Sequence, residues 1–130
     1  MRLVRILAAA AVSSVLAVSV WGQVEDLLRR APPEAAAVAN PLAGQQQAQQ
    51  AGAKLFAREC AMCHGVNGAG GLGKPPPLRR PDVQAAPPGA LFWVLRNGSR
   101  QHGMPSFAHL PEPQRWQIIT FLQARSKESK

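Results

Sequence analysis

Two cysteines and a histidine lie close together in the middle of the chain, as Cys60, Cys63 and His64 in the pattern Cys-x-x-Cys-His. Two thiols at this spacing can add to the two vinyl groups of one porphyrin. The histidine that follows directly then lies under the ring, where its imidazole can bind iron. This pattern is the attachment signature of a covalent c-type haem. We therefore predict one haem c with its iron here, held by two thioethers and by His64 as the proximal ligand.

Other uses of a cysteine pair agree less well with the rest of the chain. A disulfide between Cys60 and Cys63 is the simplest alternative, since an exported protein reaches an oxidising compartment. A thioredoxin-like redox site would need a βαβ context, and the chain has no alternating β-rich runs. Zinc would need further ligands at metal spacing, which His64, His102 and His109 do not supply. Haem attachment is therefore the favoured interpretation.

The second axial ligand of the iron must come from elsewhere in the chain. Met62 lies inside the motif and points the wrong way, and Met1 is the initiator. Met104 remains, forty residues after His64, in a predicted loop between Gly103 and Pro105. The alternative for a single methionine is core packing. We predict that Met104 binds the iron.

Two histidines compete with Met104 for this role, because histidine is the commonest metal ligand. We expect His102 to face solvent, and His109 to cap or hydrogen-bond the last helix. A His/Met pair leaves the iron no open position and raises its reduction potential. Such a haem is suited to moving one electron, which favours electron transfer over catalysis.

Helical segments must position these groups. Ala48, Gly52, Phe56 and Cys60 recur at intervals of four, which predicts a helix over about 46–61. Gly52 is either a point of close approach by another helix or a tolerated surface glycine. The glycines and prolines of residues 65–77 predict a loop that wraps the cofactor.

Two further helices are predicted after this loop. One covers residues 88–96 and is stopped by Asn97 and Gly98. The other begins near Glu112, between two prolines, has a broad apolar face and ends at about Arg125. The stretch from residue 52 onward has only 79 residues, and a domain this small usually needs stabilisation beyond its hydrophobic core, such as a cross-link or a metal. A covalent haem would supply both.

The N-terminal part of the chain has a different character. Residues 1–22 combine an arginine-containing start with a short apolar run, which predicts a secretory signal peptide. An uncleaved membrane anchor is the alternative, although the run spans only about 24 Å of the roughly 30 Å hydrocarbon core. Residues 23–50 are poor in large apolar side chains and are predicted to be a linker or docking arm. The remaining 51–130 form the predicted haem domain.

The formal net charge of the whole chain is +8, and residues 52–130 carry +7 of it. A basic face could steer acidic redox partners toward the haem, although a solvated surface explains the charge equally well. Nucleic acid is not an expected partner, because the protein is predicted to be exported and lacks a basic stripe with interleaved aromatics.

Several motifs in order resemble class I mono-haem cytochromes c over about residues 50–125. The similar stretches are the helix from Gly52 to the Cys-x-x-Cys-His motif, residues 76–78, residues 91–98, residues 103–107 and residues 116–122. The resemblance implies a small all-α cytochrome c fold, with three to four helices around one covalent haem.

The resemblance also implies roles for individual residues. The implied haem-contacting set is Cys60, Cys63, His64, Met104, Pro76 and Leu78, with His64 and Met104 as the metal ligands. A carbonyl near Pro76 or Pro77 would hold His64, and Gly52 and Phe56 would cross the last helix near Phe121. Relatives commonly have tyrosine where this chain has Phe121, so any hydrogen bond from that hydroxyl is absent.

Partners for the haem propionates remain open among several side chains. The candidates are Arg79, Arg80, Arg96, Arg100, Trp93 and Trp116.

The favoured function is an exported, non-enzymatic electron carrier of the bacterial periplasm, either soluble or membrane-tethered, which serves redox protein partners in electron transport. The second hypothesis is a haem c subunit of a larger membrane or periplasmic oxidoreductase complex, in which a partner holds the substrate. A haem enzyme or gas sensor is the third, and it would require Met104 to be a weak or absent ligand.

Overall fold

The computed structural model describes residues 15–71 and 75–124, with side chains from Gly22 onward. This part of the chain is helical and contains no strand, apart from an isolated bridge between Ser99 and Met104. The helices are α1 (Val15–Arg29), α2 (Pro33–Ala36), α3 (Gln46–Glu59), α4 (Ala61–His64), α5 (Pro81–Gln84), α6 (Pro88–Asn97) and α7 (Glu112–Ala124). The predicted all-α class is confirmed, and four of these helices have ten residues or more.

Helices α3 and α7 cross at the centre of the hydrophobic core. Gly52 lies at the crossing, and a Cβ added there would collide with the backbone carbonyl of Gln117 and lie 2.9 Å from the Cβ of Phe121. One turn later, the ring of Phe56 packs against Phe121, with 5.3 Å between the ring centroids. The predicted close approach at Gly52 and the predicted crossing near Phe121 are both confirmed.

Helix α6 packs its apolar face into the same core and ends where the sequence predicts. Gly98 directly follows the last residue of α6 and has φ +67°, a backbone conformation that glycine adopts at low cost. Within α6, Phe92 stacks on Trp116 of α7 with 4.1 Å between the ring centroids and an angle of only 18° between the ring planes. The stacked pair fixes the relative position of α6 and α7.

The N-terminal segment also contacts the core. Val24 and Leu28 of α1 pack against it, and α2 lies against α6. No helix in the described part of the chain is long and apolar enough to cross a bilayer. The first fourteen residues of the predicted signal peptide, Gly73 of the predicted loop, and the chain from Arg125 onward lie outside the described residues. The division at residues 22 and 50 stays a prediction.

Candidate functional site

The Cys-x-x-Cys-His motif begins where α3 ends. Cys60 leaves the helical conformation at φ −120°, and its carbonyl accepts hydrogen bonds from the N–H groups of Cys63 (3.2 Å) and His64 (2.9 Å). This break starts the short helix α4, so the three residues share one turn. Cys60 is buried in the core, whereas Cys63 is exposed.

Both cysteines are free thiols, and they are not joined to each other. Burial is the main cause that raises the pKa of the Cys60 thiol to about 12, and the negative charges of Glu59 and Cys63 add to this increase. Cys60 is therefore neutral at physiological pH. A thioether is neutral as well, so a covalent bond from this sulfur to a porphyrin places no charge in the core.

His64 carries a buried ring nitrogen, Nδ1, that has no hydrogen-bond partner among the described residues. Burial lowers the pKa of the imidazole, which favours the neutral form that binds metals. An unpaired buried polar atom is costly, so this ring agrees with a site built for a further group. The predicted hydrogen bond from His64 to a carbonyl near Pro76 or Pro77 does not form among the described residues and stays a prediction.

The loop after His64 folds back onto the motif through backbone contacts. The N–H of Gly70 donates to the carbonyl of His64 at 2.8 Å, and the N–H of Leu78 donates to the carbonyl of Gly68 at 2.9 Å. Gly68 has φ +73°, and a Cβ there would lie only 3.1 Å from the Cβ of Leu78. Leu78 packs against the hydrophobic core and Pro76 is half-buried. The predicted wrapping loop therefore brings Leu78 back toward the segment that carries His64.

Met104 lies in a loop whose two ends are joined by backbone hydrogen bonds. Ser99 and Met104 exchange N–H···O=C bonds of 2.9 and 3.0 Å, and Gly103 adopts the left-handed conformation between them at φ +75°. The Met104 side chain is half-buried against the same hydrophobic cluster that contains Cys60. The structure thus places Met104 against the apolar cluster that contains Cys60.

The two competing histidines lie differently. His102 is exposed, and its Nδ1 is 2.8 Å from the hydroxyl of Ser99. His109 is exposed beside the ring of Phe107. No cluster of three or more histidine, cysteine or acidic side chains that could hold a metal forms within residues 15–71 and 75–124.

Arg115 makes buried contacts beside the Met104 loop that the sequence did not predict. Its side chain is 8% exposed, and its Nη1 donates to the carbonyls of Ala108 (3.2 Å) and Leu110 (2.9 Å), which follow the Met104 loop. The guanidinium also lies 4.9 Å above the ring of Phe92. A single arginine beside a tryptophan on a predicted helix gives no signal of these contacts, because its acceptors are backbone atoms.

The candidate propionate partners are spread over several elements. Arg79 donates to the carbonyl of Asn67 at 3.2 Å, and Arg80 forms an ion pair with Asp82 at 2.8 Å. Trp116 is buried in its stack with Phe92, which agrees with core packing. Trp93 is half-buried, and Arg96 and Arg100 are exposed. The assignment of propionate partners stays open.

The all-helical fold and a Cys-x-x-Cys-His motif at the end of its first core helix define a c-type cytochrome domain. A family model described as cytochrome c oxidase, cbb3-type, subunit III matches residues 47–122, and the chain belongs to this family. A domain of this kind carries covalently bound haem c with its iron and transfers electrons. A comparison with curated proteins finds no match.

Proposed function

We propose that this protein moves one electron at a time on a single haem c, with thioethers at Cys60 and Cys63 and axial ligands His64 and Met104. The observation that carries this proposal is the shared hydrophobic cluster on which Cys60 and Met104 both lie. Two separate parts of the chain supply groups to it. Cys60 would supply the sulfur for a covalent bond to the porphyrin, and Met104 would supply a sulfur ligand for the iron.

His64 is suited to permanent ligation of the metal. Its imidazole is held neutral by burial, and one ring nitrogen is free to donate a hydrogen bond that fixes the orientation of the ring while the other binds iron. The carbonyls near Pro76 and Pro77 are the proposed acceptors. Leu78 and Pro76 would contact the porphyrin from the wrapping loop.

Met104 is suited to complete the coordination. The bridge to Ser99 pins the backbone on both sides of the short turn Arg100–His102, so little backbone freedom remains to be lost when the sulfur binds. When bound, the haem iron supplies a reversible one-electron change, and a methionine ligand favours its reduced form. If His64 and Met104 both held the iron, it would have no position left for a small-molecule substrate.

The exposed surface around the motif is the proposed contact face for redox partners. Cys63, Met62 and Val66 are all exposed, and Met62 is 84% exposed. An apolar patch beside the haem attachment would allow a partner to approach closely, and the basic character of residues 52–130 favours acidic partner surfaces. Nucleic acid is not among the proposed partners.

Membership of a cbb3-type oxidase subunit family favours a second candidate, a haem c subunit of a larger oxidoreductase complex. In this case the protein would relay electrons to or from a partner that holds the substrate site. Copurification at fixed stoichiometry from the native membrane would support the subunit, and recovery as a separate carrier would support the free shuttle.

Location follows from the same set of proposals. Cytochrome c domains are generally exported, and we propose the bacterial periplasm for this one. Residues 1–22 would direct export as a signal peptide or remain as a membrane anchor. N-terminal sequencing of the mature protein distinguishes cleavage from retention.

The ligand assignment is tested by optical spectra of the oxidised and reduced exported protein. We expect a sharp low-spin reduced spectrum and, in the oxidised state, a weak long-wavelength sulfur-to-iron band. Met104→Ala should abolish this band, whereas Met62→Ala is a matched control that removes an exposed methionine and should retain it. A band that survives in Met104→Ala would remove Met104 from the iron, and rapid binding of carbon monoxide by the reduced wild type would favour a sensor or enzyme.

A further inference from the structure

Residues 31–42 lie outside the region that the family model matches, yet they are in close contact with the domain. Ala31 is 7% exposed, and Leu42 packs against the hydrophobic core. Between them, the short helix α2 lies along α6. We call residues 31–42 the strap.

The backbone of the strap rests on the first turn of α6. A Cβ added to Gly89 would lie 2.8 Å from the carbonyl oxygen of Val38 and 2.9 Å from that of Ala36, and it would collide with the carbonyl of Ala35. No side chain fits in this contact, so Gly89 permits the approach. The carbonyl oxygens of the strap also face the positive end of the α6 dipole, which is electrostatically favourable.

A single amide fastens the other end of the strap to α7. The Nδ2 of Asn40 donates to the hydroxyl of Thr120 at 2.9 Å, and the Oδ1 of Asn40 accepts from the N–H of Leu42 at 2.9 Å. Thr120 is only 5% exposed. The Asn40 side chain therefore joins the turn of the strap to a buried position on α7.

The elements that the strap contacts are those that hold the Met104 loop. At the end of α6, the carbonyl of Leu95 accepts from the N–H of Phe107 at 3.0 Å, and the carbonyl of Arg96 accepts from the hydroxyl of Ser106 at 2.6 Å. Just before the strap, Arg30 donates directly to the side chain of Gln101 in the loop at 2.9 Å. A displacement of α6 would therefore move the backbone that carries Met104.

We propose that the strap is an integral part of the electron-transfer domain and that its contacts with α6 and α7 position the Met104 loop. Gly89 and Asn40 are then positioning residues for an iron ligand, although neither touches the haem. This inference rests on the proposed ligation of iron by Met104. It assigns a function to a stretch that its composition describes only as a linker or arm.

Gly89→Ala tests the contact between the strap and α6, because the contact decides whether the variant is less or more stable than the wild type. Alanine is favoured over glycine in a helix by roughly fivefold in the folding equilibrium, so without the strap contact the variant should be equally or more stable. With the contact, the variant should be less stable toward guanidinium. Amide hydrogens of residues 31–42 in the full-length holoprotein should also exchange at least about fivefold faster, as expected when one such contact is lost.

Asn40→Ala tests the attachment to α7 without disturbing a helix. The variant loses two partly buried hydrogen bonds, the one to Thr120 and the one from the Leu42 N–H, so exchange in the strap should accelerate by at least about fivefold. The sulfur-to-iron band should also disappear at a lower guanidinium concentration, before the tryptophan fluorescence reports global unfolding. Gln47→Ala is the matched control, because it removes an exposed amide from α3 and should change neither measurement.

Hydrogen exchange in the strap and the sulfur-to-iron band test the strap proposal and the ligand assignment separately. Unchanged exchange in both variants, or a Gly89→Ala variant that is equally or more stable than the wild type, would overturn the strap as part of the domain. Faster exchange with an unchanged band midpoint would overturn its positioning role. A wild type that lacks the band altogether would refute Met104 as a ligand, a failure visible before any strap variant is made.

Discussion

The two sides of the proposed haem site are built in contrasting ways. Cys60, Cys63 and His64 lie within one helical turn, fixed by the end of α3 and by the hydrogen bonds to the carbonyl of Cys60. Met104 lies forty residues away, on a loop that depends on the Ser99 bridge, on α6 and on Arg115. One side is local in sequence, and the other is assembled from distant contacts.

The difference indicates how each side should fail. On the cysteine side, the proposed covalent bonds make loss of the cofactor an all-or-none event. On the methionine side, several contacts of modest strength act together, so their loss should be graded. If Met104 binds the iron as proposed, the potential could be adjusted through the methionine loop while the cofactor stays attached.

The largest effect is expected for the double variant Cys60→Ala, Cys63→Ala. Without thiols no thioether can form, so haem should be lost completely on acid-acetone extraction, whereas the wild type should retain it. Met62→Ala, inside the same motif, should retain haem like the wild type. Haem that resists extraction in the double variant would contradict covalent attachment at these sulfurs.

The next largest effect is expected for Gly52→Ala at the crossing of α3 and α7. The new Cβ would collide with the Gln117 carbonyl, and because backbone atoms cannot rotate aside, the cost should reach at least the upper end of the roughly 1–3 kcal/mol typical of overpacking. Alanine's helix preference offsets about 1 kcal/mol at most, so guanidinium denaturation of the holoprotein should still show a net loss of stability. Lys54→Ala, at an exposed position of the same helix, should change stability by less than about 0.5 kcal/mol. An equally stable Gly52→Ala would show that the helices separate without cost.

The contrast between the two sides also explains what the sequence could predict. The spacing of Gly52, Phe56 and Cys60 predicted α3, and local signals such as Asn97 and Gly98 predicted the end of α6. Both depend on neighbours in the chain, which a periodic pattern records. The residues of the cysteine motif were identifiable for the same reason.

Long-range polar contacts left no such signal. The bond from Asn40 to Thr120 joins residues eighty positions apart, and the strap meets Gly89 through backbone carbonyls that every residue possesses. Arg115 likewise binds backbone acceptors. Hydrophobic periodicity cannot record these contacts, so the packing of residues 31–42 and the support of the Met104 loop required the structure.

Arg115→Met should have an intermediate effect. It tests whether the loss of one contact weakens the methionine side without releasing the haem. It keeps apolar contact with Phe92 but leaves the carbonyls of Ala108 and Leu110 without their donor, a loss of about 1.5–3 kcal/mol for a hydrogen bond to a charged group. We expect the sulfur-to-iron band to be lost at lower guanidinium than in the wild type, while haem stays covalently bound. Arg96→Met, at an exposed position, is the control. A band midpoint equal to the wild type would mean that the loop does not depend on this side chain.

The smallest effect is expected at His102, and it decides between the competing ligands. Its Nδ1 is occupied by the Ser99 hydroxyl and its ring is exposed, so His102→Gln should leave the optical spectra unchanged and alter stability by only about 0.5–1 kcal/mol. Ser99→Ala removes the same hydrogen bond from the other partner while keeping the backbone bridge to Met104, and it should match His102→Gln. If His102→Gln alone changed the low-spin spectrum while Ser99→Ala did not, the imidazole itself would be at the iron. The methionine side would then be a histidine side, with an exposed loop that must move inward to bind.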